Sequence, residues 1–306
     1  MTEPASFSSR PVRGVLWMLL SGLCFVAVNA IVRHLGTSLP AAQSAFLRFA
    51  WGALFLAPAL GRSLRRGLPP GTLGLFAGRG AVHAAAVIFW FYAMARLPLA
   101  EVTAIGYLNP VLVTVGAALF FGERLAIRRI LAVLLALAGA LVILRPGLRE
   151  LSLAQLSQLC AAACFAGSYL FAKRLSQLAP AGLVVAMMSL AVTLFLLPLA
   201  IAVWVPASVV QVLWLGLTAA FATAAHYAMT RAFREAPLTV TQPVTFLQLL
   251  WATLLGTMVF GEPVDPWVLA GGAIIIAAVS YITWRETVLA KRPPRPLAEA
   301  TKLQKV

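Results

Sequence analysis

The chain has 306 residues and a formal net charge of +15, with 61% apolar and only 11% charged residues, where soluble domains carry about 45–50% and about 25%. That is too little charge to coat a soluble fold. Apolar blocks of roughly 17–23 residues match a bilayer core of about 30 Å, which excludes a soluble enzyme and predicts an all-α integral membrane protein. The runs are continuous, without strand-like alternation, so an outer-membrane barrel is excluded too.

Residues 1–13 read as a polar cytoplasmic segment, and with no small-residue cleavage site after the first apolar block, that block is expected to be retained. The first helix, near 14–32, carries Asn29. The second, near 42–60, carries Arg48 about seven residues in, roughly 10 Å along the helix. Its guanidinium either meets a carboxylate on a substrate, or snorkels to the outer interface and bonds helix carbonyls. The third, near 80–96, holds His83, Trp90 and Tyr92. The fourth, near 99–120, sets Thr103, Tyr107, Pro110 and Thr114 on one face. Asn109 precedes Pro110, whose missing N–H is expected to kink the helix and free a carbonyl.

A fifth helix near 129–144 is almost purely aliphatic with Gly and Ala. The sixth, near 153–172, carries Ser168 and Tyr169; a seventh follows near 182–203; the eighth, near 209–230, carries His226 and Tyr227. The ninth, near 237–259, has a stripe of Thr241, Thr245 and Gln248 with Pro243 as its kink, and the tenth runs near 266–284. The tail 286–306 ends in KRPPRPLAEATKLQKV, basic and Pro-rich, and is expected to be disordered. Trp17, Trp204, Trp214, Trp267 and Trp284 lie near helix ends, as an interfacial belt requires.

The positive charge sets topology. With the N-terminus inside, the cytoplasmic segments hold most of the 24 basic residues, and the outer side keeps only Arg33, Arg48, Arg96, Arg145 and Arg149, as the positive-inside rule demands. No nucleic acid partner is implied. Cys24, Cys160 and Cys164 lie within apolar helices as packing residues, without metal-ligand spacing. No metal, cofactor or phosphate-cradling ATP loop is indicated. None of the nine acidic residues falls at mid-membrane, which favours facilitated transport over strong proton coupling; His83 and His226 are the candidate protonation sites. Glu123 and Glu262 are expected to complement the positive ends of the helices that follow them.

The chain repeats. CFVAVNAIVRHL (24–35) returns as CFAGSYLFAKRL (164–175) at an offset of 140, YAMAR (92–96) as YAMTR (227–231) at 135, and FFGERL (120–125) as VFGEPV (259–264) at 139. This divides the chain into repeats 14–146 and 147–285. Five helices per half is an odd number, so the copies must be inserted in opposite senses, the pattern of alternating-access carriers. Pro110 aligns with Leu249, and Pro243 with Ala104, which predicts kinks of different geometry in the two halves. Paired acids or a Ser/His dyad are missing, which argues against a membrane enzyme; the inverted repeat argues against a channel or receptor.

With its two five-helix halves and helix-ending Phe-Gly-Glu motifs, the chain resembles the drug/metabolite transporter superfamily, EamA type, over about residues 14–285. The run PVTFLQLLWATLLGTMVFGEPVDPW is similar to that of bacterial amino-acid and metabolite exporters, including the aromatic amino acid branch. The resemblance implies a basket-like bundle in the bacterial inner membrane, with a central cavity lined mainly by helices 1, 3, 4, 6, 8 and 9 and with helices 5 and 10 outside. It also implies secondary export or exchange of small amphipathic metabolites, foremost amino acids including aromatic ones. The alternative is another metabolite or drug-like compound such as a nucleoside, a sugar or an S-adenosylmethionine-like molecule. The expected partners are that small molecule and the lipid bilayer, with the protein a monomer or weak oligomer.

Overall fold

The computed structural model describes residues 11–65, 67–121, 127–148, 150–236 and 238–290. Its regular elements are helices: α1 Pro11–Leu35, α2 Ala41–Arg65, α3 Leu73–Met94, α4 Leu99–Gly106, α5 Leu108–Phe121 and α6 Ile127–Leu144. The second half supplies α7 Leu153–Ser176, α8 Ala181–Ala202, α9 Val209–Glu235, α10 Leu238–Thr245, α11 Leu247–Phe260 and α12 Pro266–Ala290. They make ten passes, because α4 with α5 and α10 with α11 are each one pass broken in the middle. Eight spans are long and apolar enough to cross a membrane by length and composition, and α11 is a shorter apolar helix. α2, which carries Arg48, lies outside those eight.

Local chemistry starts the helices at matching places. Pro40 and Pro180, 140 residues apart, stand before α2 and α8 and accept from Ser44 N and Val184 N; a proline there costs nothing, since its absent N–H would be unpaired anyway. Ser152 and Ser208 close capping boxes with Gln155 and Gln211 at the starts of α7 and α9, which satisfies backbone donors at each helix entrance.

The two halves are inverted. The amide of Leu99, the first residue of α4, donates to Glu262 just beyond the end of α11, at 2.8 Å. The start of the fourth pass thus lies beside the end of the ninth, and the two run antiparallel. Contacts between the halves come in exchanged pairs: α1 packs on α9 as α3 packs on α7, and α3 packs on α8 as α9 packs on α2. Elements on the pseudo-axis meet their own copies, α2 with α8 and α6 with α12.

The α6–α12 seam depends on glycine. A Cβ at Gly139 would lie 2.8 Å from the Gly271 carbonyl, and one at Gly271 would lie 2.5 Å from the Gly139 carbonyl. Each glycine closes a Leu-Ala-Gly triplet, 137–139 and 269–271, but the two are not repeat equivalents: at the 139-residue offset of the Phe-Gly-Glu motifs, Gly139 aligns with Ala278 and Gly271 with Ala132. Small residues that let two backbones approach this closely substitute for the hydrophobic drive that lipid does not supply.

Two expectations need correction. The helix breaks fall at equivalent positions, Tyr107 and Phe246, 139 residues apart, although the prolines do not. Pro110 lacks the N–H that would bond Gly106, and so accounts for the first break. The carbonyl that Pro243 leaves free belongs to residue 239, a full turn before the second break, so Pro243 does not place it; its side chain lies outside the described residues. Glu262, in turn, caps α4 of the opposite half and not the helix that follows it. Asp265 caps that helix, accepting from Trp267 N at 2.9 Å. Glu123 lies outside the described residues, as does the tail from residue 291.

Candidate functional site

The two breaks face one another at the centre. Tyr107 and Phe246 meet edge to face with ring centroids 5.4 Å apart, and the Tyr107 hydroxyl reaches the carbonyls of Thr245 and Phe246 at 3.4 Å each. Beside this junction lies a chamber of about 370 Å³. Its walls are largely rings, with Phe25, Phe49, Trp90, Phe91, Phe165 and Tyr169 among them. Such a surface binds flat apolar groups by area burial and edge-to-face contact. Arg48 reaches the same chamber, its guanidinium 3.9 Å from the centroid of the Phe49 ring. It has no hydrogen bond or ion pair among the described residues. The geometry therefore disagrees with snorkelling or carbonyl bonding by Arg48.

His83 shares a 3.0 Å hydrogen bond with Ser168 Oγ, a Ser–His contact that the sequence did not lead one to expect, and lies edge-on to Phe49 and Phe165. His226 lies edge-on to Phe25. Among the described residues no Asp or Glu lines the chamber. Two carboxylates are nevertheless buried near the outer end of the bundle, which the sequence reading did not anticipate. Glu101 accepts from Gln155 Nε2 at 2.6 Å, and Glu262 pairs with Arg33 Nε at 2.8 Å.

With the N-terminus cytoplasmic, the chamber is shut on the outside. Arg33 also donates to the Ala95 carbonyl at 2.9 Å, so the Arg33–Glu262 pair ties the ends of α1 and α3 and the start of α4 to the end of α11. Gln43, fully buried, exchanges two hydrogen bonds with the Val205 backbone. Leu99 and Val102 are buried in one apolar cluster with Val32, Leu39 and Ala45. On the cytoplasmic side, Tyr169 and Tyr227 stay about half exposed. With that orientation, the closed end faces outward and the more exposed end faces the cytoplasm.

Of the residues singled out in the sequence, Asn29, Arg48, His83, Trp90, Thr103, Tyr107, Asn109, Pro110, Tyr169, His226 and Gln248 line this chamber. Tyr227 lines a second chamber below it. Ser168 stands behind His83, and Thr245 contributes a carbonyl to the helix break. Tyr92 is elsewhere, with the Arg96 guanidinium stacked on its ring at 3.8 Å. Helix 2 was expected to contribute Arg48, and it supplies Phe49 as well. The sequence reading also missed Gln158, buried in the lining with Nε2 on the Val102 carbonyl.

The EamA-like transporter family matches the chain twice, over residues 12–145 and 152–284. The chain belongs to that family. Its relatives include a riboflavin transporter of Vibrio cholerae serotype O1, 30% identical over 94% of this chain and 98% of its own length. The pseudopaline exporter CntI of Pseudomonas aeruginosa is 29% identical over 87% and 94%, and the S-adenosylmethionine uptake transporter of Rickettsia prowazekii is 23% identical over 90% and 94%. A crystal structure with a TM-score of 0.57 and 21% identity covers 94% of the chain and shares the fold. This EamA-family chain is accordingly a multi-pass membrane transporter.

Proposed function

We propose that the protein carries a small, uncharged or anionic aromatic heterocycle of the riboflavin type by alternating access, without ATP. One observation supports this above others: an unpaired guanidinium stands in a ring-lined chamber to which, among the described residues, no carboxylate contributes. A desolvated cation stabilises an acceptor or an anion and repels a sulfonium or an ammonium. The identity to riboflavin transporters adds weight. Aromatic amino acids are the second reading: the rings suit their side chains and Arg48 suits their carboxylate, but their ammonium finds no counter-charge in the chamber.

Counterflow in proteoliposomes tests the choice, with riboflavin, phenylalanine and S-adenosylmethionine as competing substrates. Riboflavin is expected to exchange and saturate. Arg48→Met should lower its transport about 10- to 100-fold, the value of a charge-assisted hydrogen bond, with Arg48→Lys in between. Exchange of S-adenosylmethionine or phenylalanine without riboflavin would overturn the reading.

A further inference from the structure

Below the ring chamber lies a second one of about 420 Å³, between α2, α8 and α9. The two share Arg48, Phe49, His83, Ala222 and His226 as a common wall. Each falls within the size range of a ligand pocket, about 300–1,000 Å³. Their chemistry differs. The upper walls combine most of the rings with the amides of Asn29, Asn109, Gln158 and Gln248, whereas the lower chamber has few rings, and its polar residues beyond the shared wall are the hydroxyl-bearing Ser189, Thr223 and Tyr227 with Arg231. The Thr223 hydroxyl donates to the Ala219 carbonyl, one turn back, at 2.9 Å, which leaves its oxygen able to accept. Arg231 lies 3.9 Å from Glu235 on the same helix.

Ser189 is the informative residue. It is only 6% exposed, it lines the lower chamber, and its hydroxyl makes no hydrogen bond among the described residues. A serine within a helix ordinarily bonds back to the carbonyl four residues earlier. Although the residue is nearly buried, its oxygen keeps access to the chamber and is free to bond a group placed there.

We propose that the lower chamber is a subsite for a hydroxylated chain attached to the ring. The substrate is then bipartite: its flat ring lies above Arg48 among the aromatic side chains, and its polyol tail lies below, against Ser189, Thr223 and Tyr227. This rests on the ring-chamber reading given above and deepens it. Arg48, at the boundary, meets the polar edge where ring and tail join.

Purified full-length protein provides the test, with riboflavin compared against lumichrome, the same ring without its ribityl chain, in equilibrium binding followed by flavin fluorescence. Riboflavin should bind more tightly, and Ser189→Ala should weaken it about 3- to 10-fold, the worth of one hydrogen bond, while leaving lumichrome unchanged. Thr223→Val, a change of one oxygen for one methyl, should act the same way. Equal affinity for the two ligands, or an equal loss of both in Ser189→Ala, overturns the subsite and leaves the ring chamber standing. If neither ligand binds, the ring reading falls and the subsite falls with it.

Discussion

Glu262→Ala is expected to unlatch the outer face of the protein. The Glu262 carboxylate does two jobs, accepting from the Leu99 amide with one oxygen and pairing with Arg33 through the other. Its side chain is only 9% exposed and that of Arg33 24%, so solvent screens the pair weakly. Removing one partner of a buried ion pair costs about 3–5 kcal/mol, because the remaining charge is stranded. The cost is paid by the outward-closed state, where the contacts exist, and a bias of that size shifts a two-state equilibrium by orders of magnitude. The readout is labelling of Val102→Cys by a membrane-impermeant maleimide added from outside, with Cys24, Cys160 and Cys164 replaced by alanine. Val102 lies in the closed end of the chamber, 2% exposed, and labelling should rise at least about tenfold. Glu262→Gln keeps an acceptor for Leu99 but loses the charge, and should fall between. Reversing the pair, Arg33→Glu with Glu262→Arg, should not rescue, since an arginine has no acceptor for the Leu99 amide. Unchanged labelling in Glu262→Ala would show that the contact is not what closes this face.

That cross-half latch was out of reach of the sequence for a physical reason. Glu262 and Leu99 are 163 residues apart, and a carboxylate placed just before a helix invites the assumption that it serves that helix. Only the inversion brings it to the start of α4. The inversion itself was legible, because repeated motifs at offsets of 135–140 residues with five spans between them allow no other insertion. That the fifth and tenth helices stand outside the cavity was implied by the family resemblance; that they approach each other through Gly139 and Gly271, which are not equivalent positions of the repeat, was not legible. The second helix break hid for the opposite reason. Proline is the signal a reader looks for, and here the break at Phe246 follows the repeat and not Pro243.

The chamber lining divides in the same way. Polar residues in apolar helices stood out, so Asn29, Asn109 and Gln248 were found. Phe25, Phe49 and Phe165 have the chemistry of ordinary packing residues, and nothing in a single sequence separates a ring that faces a cavity from one that faces a helix. Gln158 sits in a helix that begins with several polar residues, and there it looked like part of a helix entrance. Arg48 was visible as an intramembrane charge, but its lack of a partner is a property of the fold alone.

The seam between α6 and α12 carries the last and most damaging expected substitution, Gly271→Leu. Its first side-chain atom would lie 2.5 Å from the Gly139 carbonyl, 2.6 Å from Ile143 Cγ1 and 3.1 Å from the Ile143 backbone nitrogen. Two of these are backbone atoms of a helix and cannot rotate away, so α12 must move outward as a body. On the inner side of α12, Ile275, Ala278 and Val279 are buried against the cluster that holds Ala104, Ile105, Leu108 and Leu249, the residues flanking both helix breaks. Overpacking a tight interior typically costs about 1–3 kcal/mol and occasionally more, and here the displacement reaches the supports of the chamber. Gly271→Leu should therefore lower the yield of folded protein in detergent and the thermal midpoint of what remains, read by size-exclusion profile and thermal scanning. Gly271→Ala should do so more mildly, because a methyl group is the smallest addition that meets the carbonyl. Gly182→Ala, at a glycine whose added Cβ has nothing within 4 Å, is the control and should leave both measurements unchanged. If Gly271→Leu folds as well as that control, the two helices do not touch through their glycines.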